Sequence, residues 1–372
     1  MDEKPVIIIG GGLWGTLLAL RVRECLPQTP IKLYGHDSHL GEKLAVSFHE
    51  SDVSLEAMKW LSPFISKSWN EFEVNFPKYS RRNSHRLCTM EPTHFHAVAR
   101  EKLGSNTVYL NRDISPEEAM KEASFVIDTL PRGYFKALGF QKTHGLVVKL
   151  LHTHRLSTPV TMDATVEQKH GFRYLQALPL SEDTLLVKDV RFSSDPKIYH
   201  EDLELDLLRE LHQRRWMVGD ILERETEFRK IPRDKGENFC DGRIIRLDSF
   251  VHDVTGDALP DAVRLIERMV RTSFRLGELR AVMKEYLEER RSHRKLIRLM
   301  NRMLYQTKTP CGERYRFFES LHSMPVNIRE KFYKGDMELW DALRTLINVQ
   351  IPLLRGDQGL SLNKNRERVA IV

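Results

Sequence analysis

Between Val6 and Leu20 the chain reads VIIIGGGLWGTLLAL. Four apolar residues bounded by glycine fit a strand buried on both faces, and the apolar positions that resume at Leu17, Leu18 and Leu20 fit a helix. Ile31 to Tyr34 supplies a second short apolar run, so 5–37 reads as an opening βαβ unit. Helical spacing returns at Leu55 to Phe72, with a break at Pro63, and at Phe95 to Leu103. Ala123 to Asp128 reads as a buried strand. From about 145 to 190 the period changes to two. Phe172 to Leu178 alternates, Ser181-Glu182-Asp183 turns, and Thr184 to Phe192 returns, which predicts a hairpin. Glu201 to Asp220 reads as helix, Arg243 to Asp253 as strand and Leu259 to Ser273 as helix. Beyond Lys284 the pattern is mostly helical, ending in a polar tail after Gly356.

This order predicts an α/β protein: a Rossmann-type dinucleotide-binding lobe with an inserted β-rich substrate lobe, closed by C-terminal helices. The expected boundaries are 1–137 with 236–280 for the nucleotide lobe, 138–235 for the insertion, 281–356 for the helical region and 357–372 for the tail. At 372 residues two lobes are affordable in core volume.

Gly10, Gly12 and Gly15 carry the GxGxxG spacing directly after a strand and at a helix start. The first lets the chain leave the strand tightly, the second lets backbone approach a pyrophosphate, and the third lets helix and strand pack closely. Helix-start amides then face the anion. A plain strand-turn-helix is the competing reading. About twenty residues on, where such folds place an acid for the ribose, the chain has Gly35. Asp37 is the nearest substitute, and Asp128, at the end of its strand, is a further cofactor candidate.

Charge and composition narrow the class. Net charge is +6, with four cysteines far apart and no CxxC; this argues against a zinc site or a disulfide framework and fits a reducing cytoplasm. No apolar run reaches the roughly 18 residues of a membrane span, and no signal peptide is expected ahead of the first strand. Lys284 to Arg316 is rich in Arg and Lys interleaved with Leu296, Ile297, Leu299, Met300, Met303 and Leu304. Such a helix either lies on an anionic membrane or covers the core with its apolar face. Nothing resembles a nucleic-acid module. The pairs His94/His96 and His152/His154 sit in polar stretches and predict solvated histidines, not a metal.

Longer strings identify a resemblance. Ser47-Phe48-His49-Glu50-Ser51-Asp52, Gly139-Phe140-Gln141-Lys142, Met162-Asp163-Ala164-Thr165-Val166-Glu167-Gln168, Gly171-Phe172-Arg173-Tyr174 and Leu178-Pro179-Leu180 resemble bacterial-type lycopene cyclases. His252, Thr255-Gly256 and Leu259-Pro260-Asp261-Ala262 resemble that family's second flavin-contacting turn, which makes Gly256 a cofactor candidate. Glu330 to Gly335 and Trp340 to Arg344 resemble its C-terminal helices. The likeness runs in one order from Val6 to about Pro352. It implies the two-lobe organisation of aromatic-hydroxylase-type flavoproteins and FAD, kept reduced with NAD(P)H as reductant. It also implies a carotenoid substrate, lycopene, met at the cytoplasmic face of a membrane by a peripheral protein. Lycopene end groups would be protonated and closed to β-ionone rings without net oxidation. Carbocations in apolar surroundings need a desolvated acid and electron-rich walls, for which Phe172, Tyr174 and Phe192 are candidates, ordinary core packing being the alternative.

One departure bears on the chemistry. The resemblance places an essential glutamate where this chain has Lys188, in Leu186-Val187-Lys188-Asp189-Val190. Lysine is the weaker acid by about six pKa units, roughly 8 kcal/mol. The remaining carboxyls are Asp189, which would need a bulge or slip to face the same way, and Glu227, the second of two acids in another family string. The first is Thr226 here, and Arg229 replaces a glycine. Asp189 and Glu227 are therefore the expected acid and charge partner. Two other readings stay open: a flavin-dependent monooxygenase or oxidoreductase acting on a polyene, and a non-catalytic carotenoid-binding relative.

Overall fold

The computed structural model describes residues 4–130, 136–169, 171–197, 199–233, 239–247, 259–306, 314–338, 340–341 and 345. Two sheets organise them. In the first, β1 (Val6–Ile9) lies between β2 (Ile31–Tyr34) and the strand Val126–Asp128, all parallel, with Val108–Tyr109 and Ile244–Arg246 extending either side in the same direction. Cys240–Asp241 adds one antiparallel edge. Every side chain of β1 is buried, as a strand covered on both faces requires. Helix α1 (Leu13–Cys25) covers one face together with the helices Pro92–Leu103 and Leu259–Val270, around one apolar core.

The second sheet has seven strands. The long strand Ala137–Leu150, second from one edge, pairs antiparallel with the edge strand Val218–Pro232 on one side and with Thr184–Ser193 on the other. The hairpin Phe172–Pro179 with Thr184–Ser193 forms in unbroken register, as expected from its alternation. Val160–Asp163 follows, and the hairpin Phe72–Phe76 with Tyr79–Asn83 completes the sheet. That last hairpin comes from the N-terminal stretch assigned from sequence to the nucleotide lobe. A small third sheet joins β3 (Val46–His49), Lys67–Trp69 and Leu87–Met90.

Several expectations shift. The helix expected over 55–72 is α2 (Leu55–Leu61) with a single 3-10 turn, Ser62–Phe64, before the chain turns into strands. Pro63 sits inside that turn and stops the α-helix. The helix expected over 201–220 is His200–Gln213, and Val218 already belongs to a strand. Of 243–253, Ile244–Arg246 is strand and the rest lies outside the described residues. The basic helix Arg291–Gln306 turns Leu296, Ile297, Met300 and Leu304 into the core shared by the seven-stranded sheet and the C-terminal helices. Its apolar face is used for packing and is not free to enter a bilayer. Among the described residues no helix is long and apolar enough to cross a membrane.

Candidate functional site

The glycine turn has the geometry its spacing predicts. Gly10 has φ +110, which a side chain would strain, and a Cβ on Gly15 would run into the Gly10 carbonyl oxygen. Gly12 caps α1 with no side-chain hydrogen bond, leaving the helix-start amides for another acceptor. One is engaged: the Leu13 amide donates to Oε1 of Glu42 at 3.2 Å. The cradle therefore already accepts an oxyanion from the chain, the donor chemistry that a dinucleotide pyrophosphate needs. Asp128 ends its strand fully buried beside β1, with Oδ1 accepting from the Leu130 amide at 3.1 Å. Asp37 is exposed and ion-paired with Lys43 at 3.4 Å. Gly256, with His252 and Thr255 of the turn expected to contact flavin, lies outside the described residues, while Leu259-Pro260-Asp261-Ala262 opens the helix Leu259–Val270 as expected.

A cavity open to solvent on one side lies where β3, the seven-stranded sheet and the C-terminal helices meet. Strings far apart in sequence converge on it: Ser47 to Asp52 from one side, Met162 and Tyr174 from the sheet, Glu330 and Tyr333 from the helix Val326–Lys334. Phe48, Phe72 and Leu87 add apolar wall. His49 stacks on Phe72 with ring centroids 4.4 Å apart, and Tyr333 Oη meets Nε2 of His322 at 3.0 Å.

Electrostatics single out one lining residue. Asp52 is only 5% exposed, and burial pushes its carboxyl up to about 7 although Lys334 and Arg264 oppose the shift. Burial also holds the His49 imidazole down at about 4 and that of His322 at about 3. At neutral pH His49 and His322 are thus neutral, and they share the cavity with a carboxyl that burial keeps protonated far above the ordinary carboxylate range. Asp52 lay inside a string that carried the family resemblance, yet nothing in its spacing marked it as an acid; its burial became visible only in the fold.

The two carboxyls expected to act do not meet in this cavity. The register through Lys188 and Asp189 has neither bulge nor slip, so Lys188 shares a face with the cavity-lining Gln176 while Asp189 points to the opposite face. There Asp189 is 0% exposed and ion-paired with Arg173 at 2.8 Å and Arg191 at 2.6 Å. Arg173 also reaches Glu210, and Arg191 reaches Asp206. This is a buried ion-pair network against the helix His200–Gln213, and none of its carboxyls lines the cavity. Glu227 is paired with Arg229 at 2.6 Å and its charge is felt at Glu42, which places it beside the cradle. Of the aromatic candidates, Tyr174 lines the cavity, whereas Phe172 and Phe192 pack in the core, Phe172 stacked on Phe318 at 4.6 Å.

His94, His96, His152 and His154 each hydrogen-bond main-chain groups. Among the described residues no group of three or more metal-binding side chains gathers.

Comparison with known proteins agrees with this architecture. The profile of the lycopene cyclase protein family matches residues 5–355. A lycopene beta-cyclase of Pseudescherichia vulneris is 30% identical over 363 residues, covering 92% of this chain and 93% of that protein. Among solved structures, a geranylgeranyl bacteriochlorophyll reductase-like protein from Thermoplasma acidophilum superposes with a TM-score of 0.60 at 10% identity, over 94% of this chain and 97% of that one. A flavin-dependent halogenase from Xanthomonas campestris superposes at 0.59 with 9% identity, over 93% and 94% of the two chains. Such low identities speak for a shared flavoprotein fold only. The match in sequence over almost the whole length carries more: the chain belongs to the lycopene cyclase family.

Proposed function

We propose that this chain closes the end groups of lycopene to β-ionone rings, forming γ- and β-carotene, with Asp52 as proton donor. One observation carries the assignment of the acid: a carboxyl titrating at about 7 lines a cavity walled by Phe48, Phe72, Met162, Tyr174 and Tyr333. A carboxylic acid kept neutral by burial can enter an apolar site and release its proton there. Protonation of the terminal alkene makes a carbocation, the six-membered ring closes on it, and loss of a ring proton leaves the double bond. The Asp52 carboxylate formed in the first step offsets the cation and takes that last proton back, so the residue is regenerated without net oxidation. His49 and His322, held neutral, add no repelling charge, and the ring faces of Tyr174 and Tyr333 attract a passing cation.

Gly10, Gly12 and Gly15 with the start of α1 would hold the pyrophosphate of FAD, with Asp37, Asp128 and Gly256 as further contacts. When bound in reduced form, FAD would supply an electron-rich ring system. NAD(P)H as reductant and peripheral attachment at the cytoplasmic membrane face belong to the same reading; lycopene dissolves only in lipid, which supports the attachment. Expression in cells that accumulate lycopene tests the proposal. β- or γ-Carotene is expected from the native chain and not from Asp52→Asn. A folded, flavin-loaded protein that leaves lycopene acyclic would defeat it.

A second reading has its own support: Lys188, where the resemblance places the acid, lies on the sheet face that Tyr174 and Gln176 present to the cavity but is not among the cavity's lining residues and brings no carboxyl to it. In that case the chain binds carotenoid without turning it over, and lycopene would co-purify unchanged.

A further inference from the structure

The loop leaving β2 is fastened to the glycine cradle. The Gly41 amide donates to the Gly11 carbonyl at 2.8 Å, and the Leu40 amide donates to Nδ1 of His96 at 2.9 Å. Glu42, next in the chain and half-buried, turns its side chain onto the start of α1. Its Oε1 accepts from the Leu13 amide and lies 3.5 Å from where a Cβ on Gly12 would be. A carboxylate of the chain thus occupies the point where the helix attracts an anion.

Three charged neighbours face it: Glu227 and Arg229 from the strand Val218–Pro232, and Asp37 from its own loop. Burial and Glu227 raise the Glu42 carboxyl above the usual range, with Asp37 adding to the effect. Arg229 and the Leu13 amide pull the other way and do not cancel it. Two anions cannot share one set of amides, so a pyrophosphate arriving here requires the carboxylate to leave or take up a proton.

We propose that Glu42 is a built-in competitor for the flavin pyrophosphate, holding the cradle as a carboxylate until it takes up a proton, so that flavin loading tightens as pH falls. The proposal rests on the flavin reading above. It gives the loop between β2 and β3 a regulatory role, with loading coupled to uptake of one proton.

The test is a titration of the full chain with FAD between pH 5.5 and 8.5, followed by quenching of flavin fluorescence, for the native protein, Glu42→Gln and Glu42→Ala. For the native protein Kd should rise by up to about tenfold per pH unit once Glu42 is ionised. Both variants should bind about tenfold or more tightly than the native protein at pH 8, with a flattened profile. Equal affinities and equal profiles for all three overturn the role of Glu42 and leave the flavin reading standing. If none takes up FAD while all melt cooperatively, the flavin reading fails and this proposal with it. Should the variants not fold, the native profile decides: a Kd independent of pH across the range overturns the proposal.

Discussion

The ammonium of Lys188 donates to the main-chain oxygen of Ala45, tying the centre of the seven-stranded sheet to the segment that leads into β3. The side chain at position 188 therefore makes a structural contact between the seven-stranded sheet and the N-terminal segment before β3. Lys188→Met leaves that buried carbonyl without this donor. The expected result is a loss of about 1–3 kcal/mol of stability, read from denaturant unfolding. An unchanged midpoint would show that the contact contributes nothing.

Replacing Asp52 separates chemistry from folding. Asp52→Asn retains shape and removes the exchangeable acid, so the rate of ring formation should fall by about 10²–10⁴-fold while carotenoid binding persists. Asp52→Glu should recover part of the rate. Retention of full activity by the asparagine variant would move the acid elsewhere in the cavity.

The same carboxyl makes a signed prediction about pH. Its folded value of about 7 lies above the ordinary 3.8, so between these values the folded state holds more protons than the unfolded chain. Stability from this group is complete below about pH 4, declines as pH rises towards 7, and is lost above that, by at most about 4 kcal/mol. Buried His49 and His322, held low, act with the opposite sign between about pH 4 and 6.5 in both proteins, so the test is the difference: the melting temperature of the native protein relative to Asp52→Asn should fall from pH 4 to 8. Cyclase activity, which needs the protonated form, should decline above about pH 7.

Asp189 serves the fold. Asp189→Ala removes the buried carboxylate that Arg173, itself 1% exposed, and Arg191 share, leaving them Glu210 and Asp206; loss of this charged partner costs about 2–4 kcal/mol. Soluble yield and unfolding midpoint should drop sharply. Any surviving folded protein should keep its pH profile of cyclisation, whereas an altered profile would return Asp189 to the chemistry.

Gly15→Ala tests the close approach of α1 to β1. The added methyl meets the Gly10 carbonyl oxygen, and overpacking of this kind costs about 1–3 kcal/mol. FAD affinity should weaken together with the melting temperature, because the shifted helix start no longer aims its amides at the pyrophosphate.

Much of the architecture can be read from one dimension. The run Val6 to Ile9 followed by Gly10, Gly12 and Gly15 specifies β1, a sharp turn and α1, because only a strand buried on both faces tolerates four consecutive apolar residues and only glycine permits the turn. Alternation specified the hairpin of Phe172–Pro179 and Thr184–Ser193 to within a residue or two. The region 62–83 was less legible. Its apolar residues are spaced ambiguously, and pairing with the distant strand Val160–Asp163 determined that Phe72–Phe76 became strand.

For the site the division is sharper. Local pattern alone determined the cradle, since strand, glycines and helix start are neighbours in the chain and need no long-range partner to form it. Which carboxyl faces the cavity was decided by tertiary structure. Side chains on a strand alternate, so an unbroken register sent Asp189 to two arginines and Lys188 to the cavity face. Asp52 became a candidate acid because distant segments close over it and remove it from water. Desolvation belongs to the assembled fold, and no string of residues carries it alone.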